Sequence, residues 1–545
     1  TVAENLPPGL VLISMSGTGW TCAANSCTRA DSLAGGASYP VISVNVSVAV
    51  NAGSPQVNSV SVSGGGSPPA TATDSTALSC SFQLTGGNTF SRFAATGSAS
   101  ISTTASCSWT ASVGATWLHI TSTASGSGSA QLSYSVDANV SATQRTATIT
   151  AGSASLTVYQ GGNVIQSGPG LRFVPSTPCR IADTRIGTGP YGGPAVGPTP
   201  RDFSVTASAC GIPATAQAYS LNLTVVPSGT LGALYVWPTG QVQPGVPNLS
   251  STDARVKADM AIVAAGINGS ISIAASQTTN VVVDINGYFV PASGASDLAF
   301  YPVTPCRLVD TRIGTGALAG PAIVASQNRT FPVLSSPCNI PAAARAYALN
   351  VTVIPSSSFG FLSIWPAGNP QPVVSTLNAP TGAVTANAAI VPSGDNGAIT
   401  VIASHSAALI LDINGYFAPP GPGGLQFYPQ TPCRIADTRD AAGAFGGPQM
   451  SASAQRDFLV TASACGVPLT AAAYSLNASV LPPAALGFLS LWGAGGQPTV
   501  STLNAYDGAT MMNTALVPVG AGGVISAFTS NLTHLLLDIN GYFAP

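Results

Sequence analysis

Two aspartates recur at fixed places three times along the chain, and what they do decides whether it carries out chemistry. Asp183, Asp310 and Asp437 each sit in an Asp-Thr-Arg tripeptide, flanked by Arg180 and Arg185, Arg307 and Arg312, or Arg434 and Arg439. Asp284, Asp412 and Asp538 each precede Ile-Asn-Gly. Paired carboxylates can divide acid and base roles in glycoside hydrolysis, hold calcium through oxygen ligands, or pair with neighbouring guanidinium groups. On a strand, Cys179, Ile181, Asp183 and Arg185 share one face, and Arg180, Ala182 and Thr184 the other. A carboxylate beside a cystine and an isoleucine is half-buried and needs charged or N–H partners. The expectation is three structural ion pairs: Asp183–Arg185, Asp310–Arg312 and Asp437–Arg439. The Asn-Gly after the second aspartate is expected to supply positive φ for a turn or bulge. A calcium site built from both aspartates is the alternative, although no acidic loop of EF-hand type accompanies them.

Other acids, bases and nucleophiles are scattered. His119, His405 and His534 share no repeat position, Glu4 is the single glutamate, and GxSxG, HExxH and phosphate-loop motifs are absent. The chain therefore reads as a non-enzyme, with no catalytic residue, no metal ligand set and no cofactor expected.

Ten cysteines fall into five local pairs: Cys22/Cys27, Cys80/Cys107, Cys179/Cys210, Cys306/Cys338 and Cys433/Cys465. An even count, pairing within domains and no CxxC argue for disulfides and an oxidising compartment. A bridge closing about 32 residues stabilises a domain by roughly 3–4 kcal/mol in the chain-entropy model. Lys257 is the single lysine, so repeated Lys–Asn isopeptide links across the domains are impossible.

These groups are positioned by a unit written three times. It opens as TPCRIADTR, TPCRLVDTR and TPCRIADTR, and closes as VVVDINGYFVP, LILDINGYFAP and LLLDINGYFAP. Cys179, Cys306 and Cys433 are spaced by 127 residues, a period that suits whole domains rather than solenoid units. Short β-forming runs about ten residues apart, such as RDFSVTAS, AYSLNLTVV and GALYVWP, argue for a β-sandwich or barrel. Many are near-continuous apolar runs, as expected of strands buried on both faces.

Only 6% of residues are charged and the net charge is −2, where about 25% charged is usual. That gives no electrostatic case for nucleic acid. Mean hydropathy is positive, yet no apolar run is long enough to span a bilayer. So little charge promotes association. The chain begins at Thr1 without a Met, which reads as a processed product or a fragment.

In order, residues 1–72 contain short β runs (LVLISMS, YPVISVNVSVAV) and the GWTC…CTR…SYP signature at Gly19, Cys27 and Ser38. This stretch resembles an Ig-like bacterial surface-protein repeat, with only TVAEN ahead of its LPxGL element. The resemblance implies a sandwich missing two or more strands, and so an open apolar groove at Leu6, Leu10, Leu12, Val44, Val46 and Val48. Such a groove can accept a strand from another copy; loss by proteolysis, or strands upstream in a precursor, is the alternative. The segment SGGGSPPATATDS (63–75) reads as a linker. Residues 73–163, through Trp109, Trp117, Gly126, Tyr134, Asn139, Arg145 and Gln160, resemble the BACON domain, an Ig-like sandwich for which carbohydrate or mucin binding has been proposed. Trp109 and Trp117 are then the glycan-stacking candidates, against a core role for each. Residues 164–293, 294–420 and 421–545 resemble a family of secreted bacterial domains marked by PxRxxDTR, LNxT, WPxG and DxxGYF; the third copy has LNAS and WGAG instead. The family implies no activity.

The sequence thus predicts an elongated, all-β array of five Ig-like or sandwich domains in a row, secreted or at a bacterial surface, without a membrane span. The function it favours is a homopolymeric filament subunit joined through the groove. A monomeric stalk presenting the BACON-like domain to extracellular glycans is the competing reading.

Overall fold

The computed structural model describes residues 1–49, 52–86, 88–90, 94–103, 107–139, 145–160, 170–292, 297–493 and 495–545. The boundaries expected at 163/164 and 293/294 lie outside these residues. The described chain is all-β, broken only by short 3-10 turns such as Val333–Ser335. No helix in it is long and apolar enough to cross a membrane. It forms two compact units, Thr1–Ile165 and Gln166–Pro545.

The first unit begins with a five-stranded antiparallel sheet in the order Thr21–Ala23, Ser26–Thr28, Val2–Asn5, Gln56–Gly64, Ser67–Thr76. A separate two-stranded sheet pairs Leu10–Gly17 with Ile42–Val48. The expected linker at 63–75 is mostly a strand. Gln56–Gly64 and Ser67–Thr76 form a hairpin from Gln56↔Thr76 to Gly64↔Ser67. Gly64, Gly65 and Gly66, at φ 124°, 66° and 78°, make the reversal. Pro68 and Pro69 fall on the sheet's last strand, opposite the register shift between Val62 and Gly64, an edge and bulge position where proline is tolerated.

The rest of this unit is a sandwich. Leu118–Ile120, Ala130–Val136, Ala95–Ser102 and Gln83–Gly86 form one sheet. Ser125–Ser127, Ser108–Val113, Arg145–Ala151, Ala154–Gln160 and Thr89–Phe90 form the other. Alternating side chains meet in a core that includes Leu84, Ile101, Trp109, Leu132, Tyr134, Ile149 and Val158.

In the second unit each repeat is a sandwich of two four-stranded layers. In the first repeat, Leu171–Asp183, Thr279–Pro291, Ala218–Pro227 and Lys257–Ala264 face Arg201–Ser204, Ser270–Ala275, Leu231–Pro238 and Leu249–Ser251. Phe203, Leu221, Leu223, Val236, Ile273 and Val283 fill the space between. The longer-stranded sheet is buried on both faces, as its apolar runs predict: Ala218 to Val225 are all buried. Its second face is covered by the other repeats, because an apolar sheet left open on one side would keep that surface in water. The three such sheets meet in a fourth core containing Phe173, Phe289, Phe300, Phe417, Phe427 and Phe543. Single backbone bridges Phe173↔Leu298 and Phe300↔Leu425 join successive repeats, and the pair Leu171↔Phe427 joins the first repeat to the third, their two sheets running together as one of eight strands. The three repeats therefore close around a shared centre, and the expectation of these domains standing in a row is corrected.

Candidate functional site

The Asp-Thr-Arg aspartates sit where strand alternation is interrupted twice. Register shifts fall between Pro175 and Cys179 and between Arg180 and Ala182. Ile181 and Ala182 are consequently both buried, and Arg180 reaches Asp183 instead of lying on the opposite face. Arg185 donates from Nε and Nη2 to the two Asp183 oxygens at 2.8 and 2.6 Å, and from its backbone N–H at 3.1 Å. Arg180 donates to Asp183 at 3.2 Å and forks onto Asp284 at 2.8 and 3.2 Å. The second repeat has the same network in Arg307, Asp310, Arg312 and Asp412, and the third in Arg434, Asp437, Arg439 and Asp538.

The expected ion pairs thus form, each as half of a four-residue chain of charge. The second aspartate was missed as a partner, although its recurrence in step with the first was a signal for it. Every carboxylate oxygen of the first repeat's pair accepts from an arginine. Among the described residues no group of three or more His, Cys, Asp or Glu could hold a metal ion.

Arg185 and Arg312 hold Asp183 and Asp310 below the usual carboxylate range. At Asp437 burial pushes upward, but Arg439 and Arg434 outweigh it and the carboxyl falls to about 2. Burial raises Asp284, Asp412 and Asp538 against the pull of their arginines. The threonine between Asp and Arg works on the backbone: Thr184, Thr311 and Thr438 accept N–H groups of Val281, Leu409 and Leu535 at 2.9, 2.7 and 2.9 Å.

The other repeated motifs join repeats to one another. The Phe of each GYF and the Phe ahead of each DTR form a closed ring in the order 173, 289, 427, 543, 300, 417. Neighbouring ring centroids lie 4.4–5.2 Å apart. Asn286 is the bulged residue expected in Ile-Asn-Gly, lying between the pairs Leu221↔Ile285 and Ser220↔Gly287. The positive φ expected of Gly287 is not observed, and the residue lies inside a strand. It is small because a Cβ there would stand 2.3 Å from the Phe173 ring. The LNxT asparagines cross the seams: Asn222 to the Ser375 carbonyl at 2.7 Å, Asn350 to Ser501 at 2.6 Å, and Asn477 to Asn248 at 2.7 Å. Trp237, Trp365 and Trp492 are buried, each donating to a carbonyl three or four residues on.

The cysteines bond in the five expected pairs: Cys22–Cys27, Cys80–Cys107, Cys179–Cys210, Cys306–Cys338 and Cys433–Cys465. The loops they close differ more than the expected value of about 32 residues allows. The separation is 31 or 32 in the repeats, 27 for Cys80–Cys107 and 5 for Cys22–Cys27. The last bridge therefore constrains the unfolded chain least. Beyond bridging, the second cysteine packs inward in two of the later pairs, while both ends of the other two lie half-buried. Cys107 and Cys465 are each 2% exposed, whereas Cys210 and Cys338 are half-buried against the cores of their own repeats. Their backbones are held as well. The Cys107 carbonyl accepts from the Gly128 N–H at 3.0 Å. The N–H groups of Cys210 and Cys465 donate to the Ser208 and Ser463 hydroxyls at 3.4 Å.

The two stacking candidates differ in exposure. Trp109 is 5% exposed and donates to the Gly128 carbonyl at 2.8 Å, which makes it a core residue. Trp117 is half-buried, and the Arg145 guanidinium lies over its ring at 4.3 Å.

The groove residues come together in part. Leu10 stands opposite Val48, Leu12 opposite Val46, and Met15 opposite Val44; Leu6 lies outside the strands. Leu10, Leu12, Val44 and Val46 are only half-buried, and Val48 is exposed. Val11 and Ile13, on the other face, are 59% and 68% exposed. Among the described residues, none before Phe82 belongs to a hydrophobic core. The buried side chains among the described residues of this region are Glu4, Cys27, Ala52 and Gln56, and Glu4 Oε1 has no partner. Among the described residues, the two sheets therefore enclose almost no buried apolar side chain.

Comparison with known proteins adds one match and one blank. No curated protein matches the chain. A family model described as the viral BACON domain matches residues 83–166, the sandwich built around Trp109 and Tyr134.

Proposed function

We propose that this protein is a non-enzymatic structural subunit of an extracellular filament or appendage, its copies joined by strand complementation at residues 1–72. The observation that carries this reading is the missing core of residues 1–72: a two-stranded sheet with one apolar face (Leu10, Leu12, Met15, Val44, Val46, Val48) over a sheet with which, among the described residues, it encloses no hydrophobic core. A strand from a neighbouring copy, added beside Leu10–Gly17 or Ile42–Val48, would pair the free edge and cover Leu12, Val44 and Val46. Five disulfides and a surface nearly free of charge fit an extracellular protein that associates. The BACON match fits a surface β-protein. The carbohydrate-binding alternative loses support from the burial of Trp109 and the covering of Trp117. The repeats, with their carboxylates spent on arginines and their motifs on seams, read as a rigid body carried by each subunit.

The test is light scattering on serial dilution of the full chain, with Leu12→Asp and Val44→Asp beside the wild type. Large particles that survive dilution, and their loss in both variants, are expected. A monodisperse wild type with a stable first domain would refute the reading.

A further inference from the structure

A ring of side-chain amides ties the three repeats together and closes through one carboxyl group. Asn387 and Asn513 stand at equivalent positions of the second and third repeats, and Asp259 holds that position in the first. Each accepts a backbone N–H across a seam through Oδ1: Met260 to Asn387 at 3.1 Å, Ala388 to Asn513 at 2.8 Å, and Thr514 to Asp259 at 2.9 Å. The far end of the side chain differs. Asn387 Nδ2 donates to Asn222 Oδ1, and Asn513 Nδ2 to Asn350 Oδ1, both at 2.8 Å. The equivalent acceptor for Asp259 is Asn477 Oδ1, to which an ionised carboxylate can donate nothing. Asp259 Oδ2 and Asn477 Oδ1 are both buried without a partner, and Asp259 is 1% exposed.

Among the described residues no cation compensates the group. Lys257, on the same strand, is held by Asp253 at 3.0 Å and by the Thr510 carbonyl at 2.9 Å. Arg255 is taken by Asp253 and Asp507. The packed strands Ala218–Pro227, Leu249–Ser251, Leu377–Ala379, Thr385–Pro392 and Met511–Pro518 carry no charged side chain, and Leu231–Pro238 offers only Tyr235. Gln426–Asp437 and His534–Ala544 meet this strand in the shared core at Phe427 and Phe543. Their Arg434, Asp437 and Asp538 are bonded to one another, and His534 to Thr438.

We propose that Asp259 is a protonation-controlled latch: as the neutral acid it donates from Oδ2 to Asn477 Oδ1 and completes the ring, and on ionising it loosens the seam between the third and first repeats. Burial supports the neutral form, pushing this carboxyl up to about 8. The folded state then keeps a proton that the unfolded chain loses near pH 4. Stability from this group is therefore greatest in acid, declines as pH rises, and levels off above about pH 8.

The test compares full-length wild type and Asp259→Asn, whose amide restores the missing donor, in denaturant unfolding between about pH 5 and pH 9. Relative to the variant, the wild-type folding equilibrium constant should fall about tenfold per pH unit below pH 8 and then run parallel. Parallel behaviour over the whole range would overturn the proposal. Should the variant not fold, infrared spectra of the wild type decide. A carboxylic-acid carbonyl band present near neutral pH and lost above about pH 9 supports the latch, and no such band near neutral pH overturns it.

Discussion

Phe417 of the second repeat lies 4.6 Å from Phe173 of the first and 5.0 Å from Phe300 of its own. It is 1% exposed, so truncation to alanine should cost about 3–5 kcal/mol. That loss alone would not separate a core shared between repeats from one belonging to the second repeat. Coupling does. Tilted rings at this distance contribute about 1 kcal/mol beyond their buried area. A double-mutant cycle of Phe173→Leu and Phe417→Leu, read by guanidinium denaturation of the full chain, should therefore give a coupling energy of about 1 kcal/mol. Phe173 and Phe543 stand across the ring from each other, and the same cycle on that pair should give less than about 0.5 kcal/mol. A coupling near zero in both cycles would refute the closed ring and, with it, the account of why each repeat ends in Gly-Tyr-Phe.

Other perturbations test other parts of the second unit. Replacing both Cys306 and Cys338 by serine opens a loop of 32 residues and should cost about 4 kcal/mol, measured by the same denaturation. Asp412→Asn leaves Arg307 without its forked acceptor in a mostly buried site, and should cost about 3 kcal/mol; a loss under about 0.5 kcal/mol would mark the network as incidental. The low carboxyl of Asp437, at about 2, works in the opposite sense to Asp259. Its contribution is complete above the unfolded value near pH 4 and is lost as pH falls toward 2. An acid titration of stability should show that loss, and Asp437→Asn should flatten it.

Much of this was legible from residue order, and the limits have physical causes. Strand period and the equal spacing of Cys179, Cys306 and Cys433 make sandwich repeats with internal disulfides readable. The inward packing of Cys107 and Cys465 is not, because spacing identifies a bridge without saying which of its ends faces the core. Alternation then fails where it is broken: two bulges move Arg180 to the side of Asp183, and a strict two-residue period cannot show that. The hairpin at 63–75 was hidden because Gly, Ser and Pro mark turns and edge strands as well as linkers. The seams were least visible. Asn222 meets Ser375 and Phe173 meets Phe417 across long stretches of chain, and no local pattern encodes such contacts. The one available sign was the apolar run AYSLNLTVV, which needs cover on both faces and so calls for a neighbour beyond its own sandwich. That Val44, Val46 and Val48 share a face with one another was legible, since the alternation of ISVNVSV fixes it. At Trp109 the same alternation argued for the core, and the glycan reading rested on resemblance.

If residues 1–72 form a joint between copies, the joint must be visible in the assembled protein. Electron microscopy of the native material, taken without denaturation, tests it most directly. Regular filaments are expected, with density beside Leu10–Gly17 and Ile42–Val48 that belongs to a strand of the adjoining subunit. Separate particles of one chain each, with the first domain closed on itself, would contradict it.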